Sequence, residues 1–141
     1  MSALRLGVVH SRFNAEICDA LLESARGEIA RSGAAAEFVA VPGALEIPPA
    51  LQWLAQSGRF DALVAIGAVI RGETYHFEVV ADQSARGLMD VALDCGVPVA
   101  NGILTTENEA QALARRDKGG EAVRVALEMA QLKAALADRW R

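Results

Sequence analysis

A chain of 141 residues that is 52% apolar, with four Phe, two Trp and one Tyr, has the length of a single domain (1–141). Such a domain buries roughly two thirds of its unfolded surface, here in a core of small and branched side chains. Eighteen Asp and Glu against fourteen Lys and Arg give a formal charge of −4, leaving no basic field to attract a nucleic acid backbone. No apolar run approaches the roughly 18 residues of a spanning helix and MSALRLGVV carries no cleavage pattern, so neither membrane nor export is expected and the chain is placed in the cytoplasm.

Leu4 to Val9 reads as a strand. SRFNAEICDALLESARGEIARSG then reads as a helix, with Asn14 as its cap, Ile17, Leu21, Leu22 and Ala25 at three and four spacing, and Gly33 as its stop. Glu37 to Val41 is a second short strand ending at Pro42-Gly43. Residues 44–57 read as helical, with Pro48 and Pro49 better suited to a first turn or a kink than to an interior. Ala62 to Ile70, ALVAIGAVI, has the near-continuous apolarity of a strand covered on both faces and is expected at the centre of the sheet.

A helix follows over Phe77 to Leu93, with Val80, Leu88, Val91 and Ala92 toward the sheet and Gly96 at its end. Val97 to Leu104 reads as the fourth strand, and Thr105 or Thr106 as the cap of the helix ENEAQALARR. The last helix, Gly120 to Trp140, aligns Val125, Met129, Leu132, Leu136 and Trp140 in one stripe, read as core or subunit contact. Strand and helix alternate four times, which predicts right-handed crossovers and a parallel α/β sheet. The two cysteines, Cys18 and Cys95, read as reduced, buried thiols.

Ligands of open parallel sheets sit beyond the carboxyl ends of the strands. There the sequence places His10 to Asn14, Val41 to Ala44, Arg71 to His76 and Thr105-Thr106. Gly67-x4-Gly72 has the glycine spacing of a phosphate loop but continues with Glu73-Thr74, so it is not a nucleotide-triphosphate signature. The amides of Gly72 to Thr74 can hold one anion or form an ordinary turn. His76 is a proton shuttle or a surface residue at a helix start. Glu46 is a helix-terminal charge or an acceptor for hydroxyl groups, and Phe13 a core ring or a stacking platform. Arg115, Arg116 and Lys118 form a short basic run that suits a solvated face. Two distant histidines and a cysteine inside a helix make no metal site.

Taken together, VVHSRFNAEI (8–17), VPGALEIP (41–48), GAVIRGETYHF (67–77), NGILTTENEAQALARR (101–116) and KGGEA (118–122) closely resemble the 6,7-dimethyl-8-ribityllumazine synthase family of riboflavin biosynthesis, in the family's order over nearly the whole chain. The resemblance implies a flavodoxin-like, three-layer α/β/α domain with a four-stranded parallel sheet. It implies a transferase that condenses 5-amino-6-ribitylamino-2,4-pyrimidinedione with 3,4-dihydroxy-2-butanone 4-phosphate, without metal or organic cofactor, at sites between the subunits of a homo-pentamer. By the same resemblance, Phe13 stacks on the pyrimidinedione and Ala44, Leu45 and Glu46 hold its ring and ribityl chain. Gly72, Glu73 and Thr74 form the phosphate-side turn. Arg115 reaches the phosphate from the adjacent subunit, Lys118 and Glu121 lie near the ligand, and His76 is the general acid and base.

Three positions depart from the family pattern. Asn101 stands where an aromatic is usual, in the wall of the neighbour's pocket, and Leu45 replaces a common phenylalanine. Between Arg116 and Lys118 only Asp117 remains of a connection that is longer in many members, which favours a free pentamer or a decamer over an icosahedral shell. The alternative function is a lumazine- or flavin-binding oligomer with little or no catalysis.

Overall fold

The computed structural model describes residues 3–140. In chain order it contains β1 (Arg5–Ser11), α1 (Ala15–Ser32), β2 (Ala35–Val41), α2 (Ile47–Gln56), β3 (Ala62–Ile70), α3 (His76–Cys95), β4 (Val99–Thr106), α4 (Glu109–Ala114) and α5 (Lys118–Arg139), with a single 3-10 turn at Ala44–Glu46 leading into α2. All strands pair in parallel in the order β2-β1-β3-β4. Helices cover both faces, which is the flavodoxin-like arrangement.

The composition of β3 explains its place. Ala62 to Val69 are all buried, and their side chains alternate between two cores because successive residues of a strand point to opposite faces. Val64 and Ile66 join Leu6 and Val8 against Ile17, Leu21 and Ala25 of α1 and Val123 and Ala126 of α5. Leu63 and Ala65 join Val9 against Ile47 and Leu51 of α2 and Val80, Leu88 and Val91 of α3. Each large side chain removed from water in this way contributes about 1.5–3 kcal/mol.

Helix α5 approaches α1 through its first turn. A Cβ on Gly119 would lie 2.0 Å from the carbonyl oxygen of Leu21, so only glycine permits this crossing. The next amide, of Gly120, donates to Ser24 Oγ at 3.0 Å and locks the pair in register. The inward face of α5 is otherwise made of Ala122, Val123, Ala126 and Ala130.

Several local expectations are corrected. Strand β1 runs on to Ser11, and α1 starts only at Ala15. Asn14 occupies the cap position but its side chain does not cap; it adopts φ 58° and donates to Ala68 O at 3.0 Å. Neither Thr105 nor Thr106 caps α4, because β4 continues through both; Asn108 does so, its Oδ1 accepting from Gln111 N at 2.9 Å. As the sequence suggests, Pro48 and Pro49 fall in the first turn of α2, where their missing amides cost no helical bond. Helix α5 begins at Lys118, and its stripe of Val125, Met129 and Leu132 points outward with Trp140, so it is not part of the chain's own core. Cys18 is buried, but Cys95 is only half-buried, because it ends α3 where Gly96 turns the chain in the left-handed conformation.

Candidate active site

Three turns meet at the carboxyl ends of β1, β2 and β3 and enclose a cleft of about 370 Å³. The β1–α1 turn brings Phe13, which is 63% exposed and so is not a core side chain. Its backbone is held at both the amide and the carbonyl. The amides of Arg12 and Phe13 both donate to Pro42 O, at 3.1 and 3.0 Å, and the Cys18 thiol donates to Phe13 O at 3.3 Å. Burial pushes the Cys18 thiol above its ordinary pKa, with Ser11 Oγ 3.4 Å away opposing, so the group serves as a neutral donor.

The β2–α2 turn supplies Ala44, Leu45 and Glu46. Glu46 folds back so that Oε1 accepts from the amide of Gly43 at 2.9 Å. Among the described residues its second oxygen has no protein partner and remains available to a ligand. Gly43 is extended, with φ −142°, and lies under Phe13: a Cβ there would meet Cδ2 and Cε2 of the ring at 2.7 and 2.9 Å.

His76, the exposed first residue of α3, completes this side of the cleft. Gly72, Glu73 and Thr74 precede it in an exposed turn rather than in the helix, and Thr74 Oγ1 lies 3.4 Å from the His76 amide. The structure thus brings Phe13, Ala44, Leu45, Glu46 and His76 around one cleft, while Gly72, Glu73 and Thr74 are not among the residues that line it.

Arg115, Lys118 and Glu121 lie elsewhere. They border a separate cleft of about 400 Å³ beside Thr105 and Thr106 at the end of β4, and the two clefts share no lining residue. Arg115 Nη1 donates to Gln111 O at 2.9 Å and Lys118 Nζ pairs with Glu121 Oε1 at 3.2 Å. Asn101 is exposed on the edge strand β4, and its Oδ1 accepts from Ile103 N at 2.9 Å. A larger groove of about 480 Å³ lies between α3, the start of β4 and α5, but its walls are almost wholly apolar and it is distant from the rim.

Ala68, Val69 and Ile70, the last residues of β3, also line the first cleft, as do Asn14, Gly43 and Val80. Asn14 and Gly43 lie in segments the sequence already placed at the rim, but Ala68 to Ile70 and Val80 were missed, because an apolar strand end or helix face looks the same whether it meets a helix or a ligand. The usable signal was position, directly before the Arg71 to His76 rim. Among the described residues no three His, Cys, Asp or Glu side chains gather as metal ligands, and no helix is long and apolar enough to cross a membrane.

Residues 3–134 match the family model of 6,7-dimethyl-8-ribityllumazine synthase. A 6,7-dimethyl-8-ribityllumazine synthase of Burkholderia multivorans is 58% identical over 137 residues, covering 94% of this chain and 80% of the relative. That of Paraburkholderia phymatum is 57% identical with the same coverage, and that of Ralstonia nicotianae 56% identical over 94% of this chain and 84% of its own length. With the family model spanning nearly all of a flavodoxin-like domain, the chain belongs to the 6,7-dimethyl-8-ribityllumazine synthase family and is an enzyme of riboflavin biosynthesis.

Proposed function

We propose that this chain condenses 5-amino-6-ribitylamino-2,4-pyrimidinedione with 3,4-dihydroxy-2-butanone 4-phosphate, giving 6,7-dimethyl-8-ribityllumazine, phosphate and water, in a site shared by two copies of the chain. The observation that carries this reading is the separation of two complementary clefts. One holds an exposed ring, a carboxylate with a spare oxygen and an imidazole, and the other holds a guanidinium and an ammonium group. Juxtaposing the β4 edge of one copy with the rim of the next supplies all these groups to one ligand pair.

In that arrangement Phe13 stacks on the planar pyrimidinedione, since an exposed ring over a planar heterocycle combines apolar contact with quadrupole attraction. Ala44 and Leu45 line the heterocycle and ribityl chain, and Glu46 accepts from ribityl hydroxyls. Gly72, Glu73 and Thr74 receive the phosphate side of the butanone, and Arg115 of the neighbour offers its planar fork of donors to the phosphate oxygens. Lys118 and Glu121 complete that wall. His76 exchanges protons as the amine attacks the ketone and as phosphate and water depart. Much of the acceleration comes from holding two reactants in one complex.

The outward apolar surface of α3 and α5, including Met89, Leu93, Val125, Met129 and Leu132, supports self-association. We read the assembly as a homo-pentamer, or a decamer of two pentamers, because only Asp117 lies between Arg116 and α5. The compact turn that results favours closed rings over a sixty-chain shell, and a particle mass near sixty chains in dilute buffer would overturn it. A lumazine- or flavin-binding oligomer without catalysis is the second reading, and it draws on Asn101, whose amide is engaged on its own strand.

The test is formation of the lumazine chromophore from the two purified substrates, with phosphate release followed in parallel and Arg115→Ala as the control. Coupled appearance of both products, weakened in the control, supports the synthase. Binding of the ribityl compound with neither product formed favours the non-catalytic reading.

A further inference from the structure

Arg71 is the last residue before the exposed turn and follows directly on β3. Its amide donates to Thr106 O at 2.9 Å, joining the end of β3 to β4. Its side chain makes three further contacts. Nε donates to Glu107 Oε2 at 2.6 Å in the β4–α4 connection, Nη1 is hydrogen-bonded to Glu78 Oε1 in the first turn of α3, and Cζ lies 4.4 Å from the centre of the Phe77 ring. One guanidinium thus binds two carboxylates and a ring, a use of its planar fork that an ammonium group cannot reproduce.

The segment between these anchors is bare by comparison. Among the described residues, Gly72 and Glu73 make no hydrogen bond, and the rest of the turn is tied only to the first turn of α3: Thr74 Oγ1 accepts from the His76 amide at 3.4 Å, and Tyr75 O from the amides of Glu78 and Val79 at 3.1 and 3.3 Å. Residues 71 and 78 are tied by their side chains, which closes the turn into a short loop, and closing a loop removes conformations that would otherwise compete with the ordered one. Phe77 and Glu78 directly follow His76, so the clamp also fixes where α3 begins. Glu78 is held below the ordinary carboxylate range chiefly by its hydrogen bond to Arg71.

We infer that Arg71 is a positioning residue: its clamp on Glu78, Glu107 and Phe77 holds the 72–75 turn and His76 in register, while its charge is committed to carboxylates rather than to the phosphate. This rests on the function proposed above, in which that turn receives the phosphate end of the butanone.

The test compares Arg71→Ala, Arg71→Lys and Glu78→Gln with the unaltered enzyme, measuring kcat and KM for each substrate, and thermal unfolding. Chromophore formation by the unaltered enzyme is the control for the reaction itself; if it forms none, the proposed function fails, independently of Arg71. Given activity, Arg71→Ala is expected to lower kcat/KM for the butanone phosphate by roughly tenfold to a hundredfold, since displacement of aligned groups by about 1 Å can cost a hundredfold. KM for the ribityl compound should move little. Arg71→Lys should recover only part of the loss, and Glu78→Gln should impair the reaction in the same direction as Arg71→Ala. A direct phosphate ligand would behave oppositely in the last variant: freed from one carboxylate, Arg71 would bind phosphate better and KM for the butanone phosphate would fall. That result, full recovery with Arg71→Lys, or altered unfolding with unchanged kinetics would each overturn the inference.

Discussion

Gly43→Ala tests how the aromatic platform is held. Gly43 has extended backbone that alanine adopts without strain, so the effect of a methyl group there is purely one of space. That methyl would lie 2.7 and 2.9 Å from the Phe13 ring and 3.2 Å from Glu46 Oε1. Forcing extra volume into a packed site costs typically about 1–3 kcal/mol, but the Phe13 ring is 63% exposed and can rotate away. The expected result is therefore a small change in stability and a loss of the stacking surface. Aromatic stacking contributes about 0.5–1.5 kcal/mol beyond area burial, so affinity for the ribitylaminopyrimidinedione should fall roughly twofold to tenfold. Titration calorimetry on the wild type, Gly43→Ala, Phe13→Ala and the double variant measures the coupling. If the ring transmits the effect, Gly43→Ala costs little once Phe13 is gone. An equal loss in both backgrounds would refute the reasoning and point to Glu46 instead.

Asn14→Ala is expected to destabilise by about 1–2 kcal/mol, since alanine keeps the Cβ penalty of a left-handed backbone but lacks the short polar side chain that lets Asn tolerate it, and the bond to Ala68 O is lost as well. Asn14→Gly removes the Cβ and with it the penalty, so chemical denaturation should rank it above Asn14→Ala, and the reverse order would exclude the backbone account. Gly119→Ala, whose Cβ would stand 2.0 Å from Leu21 O, should cost about 3 kcal/mol as α5 is pushed off α1; an unchanged melting temperature would show that the helices can separate freely. His10 is held below its ordinary value of 6.5, first by burial and then by Arg26, with Asp19 opposing. The unfolded chain therefore binds the proton more readily, and stability present above pH 6.5 is lost as pH falls through the folded-state value. His10→Gln should flatten that slope in denaturation curves taken across the range, and an unaltered slope would assign it to other groups. His76→Ala should slow product formation by about a hundredfold, the lower range of acid–base contributions, without abolishing it; a folded, wholly inactive variant would contradict the weight placed on positioning.

Much of the fold is legible because its signals are local. The unbroken apolarity of ALVAIGAVI marks a doubly covered strand, and Gly33 and Gly96 end helices by adopting the left-handed conformation there. The rim residues are legible for a topological reason, since strand ends in a parallel sheet converge on one edge. What the sequence hid depends on distant partners. Asn14 looks like a helix cap, yet its amide reaches a carbonyl 54 residues away. Thr106 looks like a cap too, but its hydroxyl donates to Asn108 O and the capping falls to Asn108 itself. Arg71 is an isolated cation in the sequence and becomes a clamp only when Glu78 and Glu107 are brought to it.

Helix α5 inverts the usual allocation of size. Its inward side carries Gly119, Gly120, Ala122, Ala126 and Ala130 beside one valine, while Val125, Met129 and Leu132 face outward. A genetic screen of this helix should therefore sort into two phenotypes. Enlarging an inward alanine or glycine strikes a neighbour and destabilises the chain. Making an outward position polar leaves the chain's own core intact and changes only what can rest against that face.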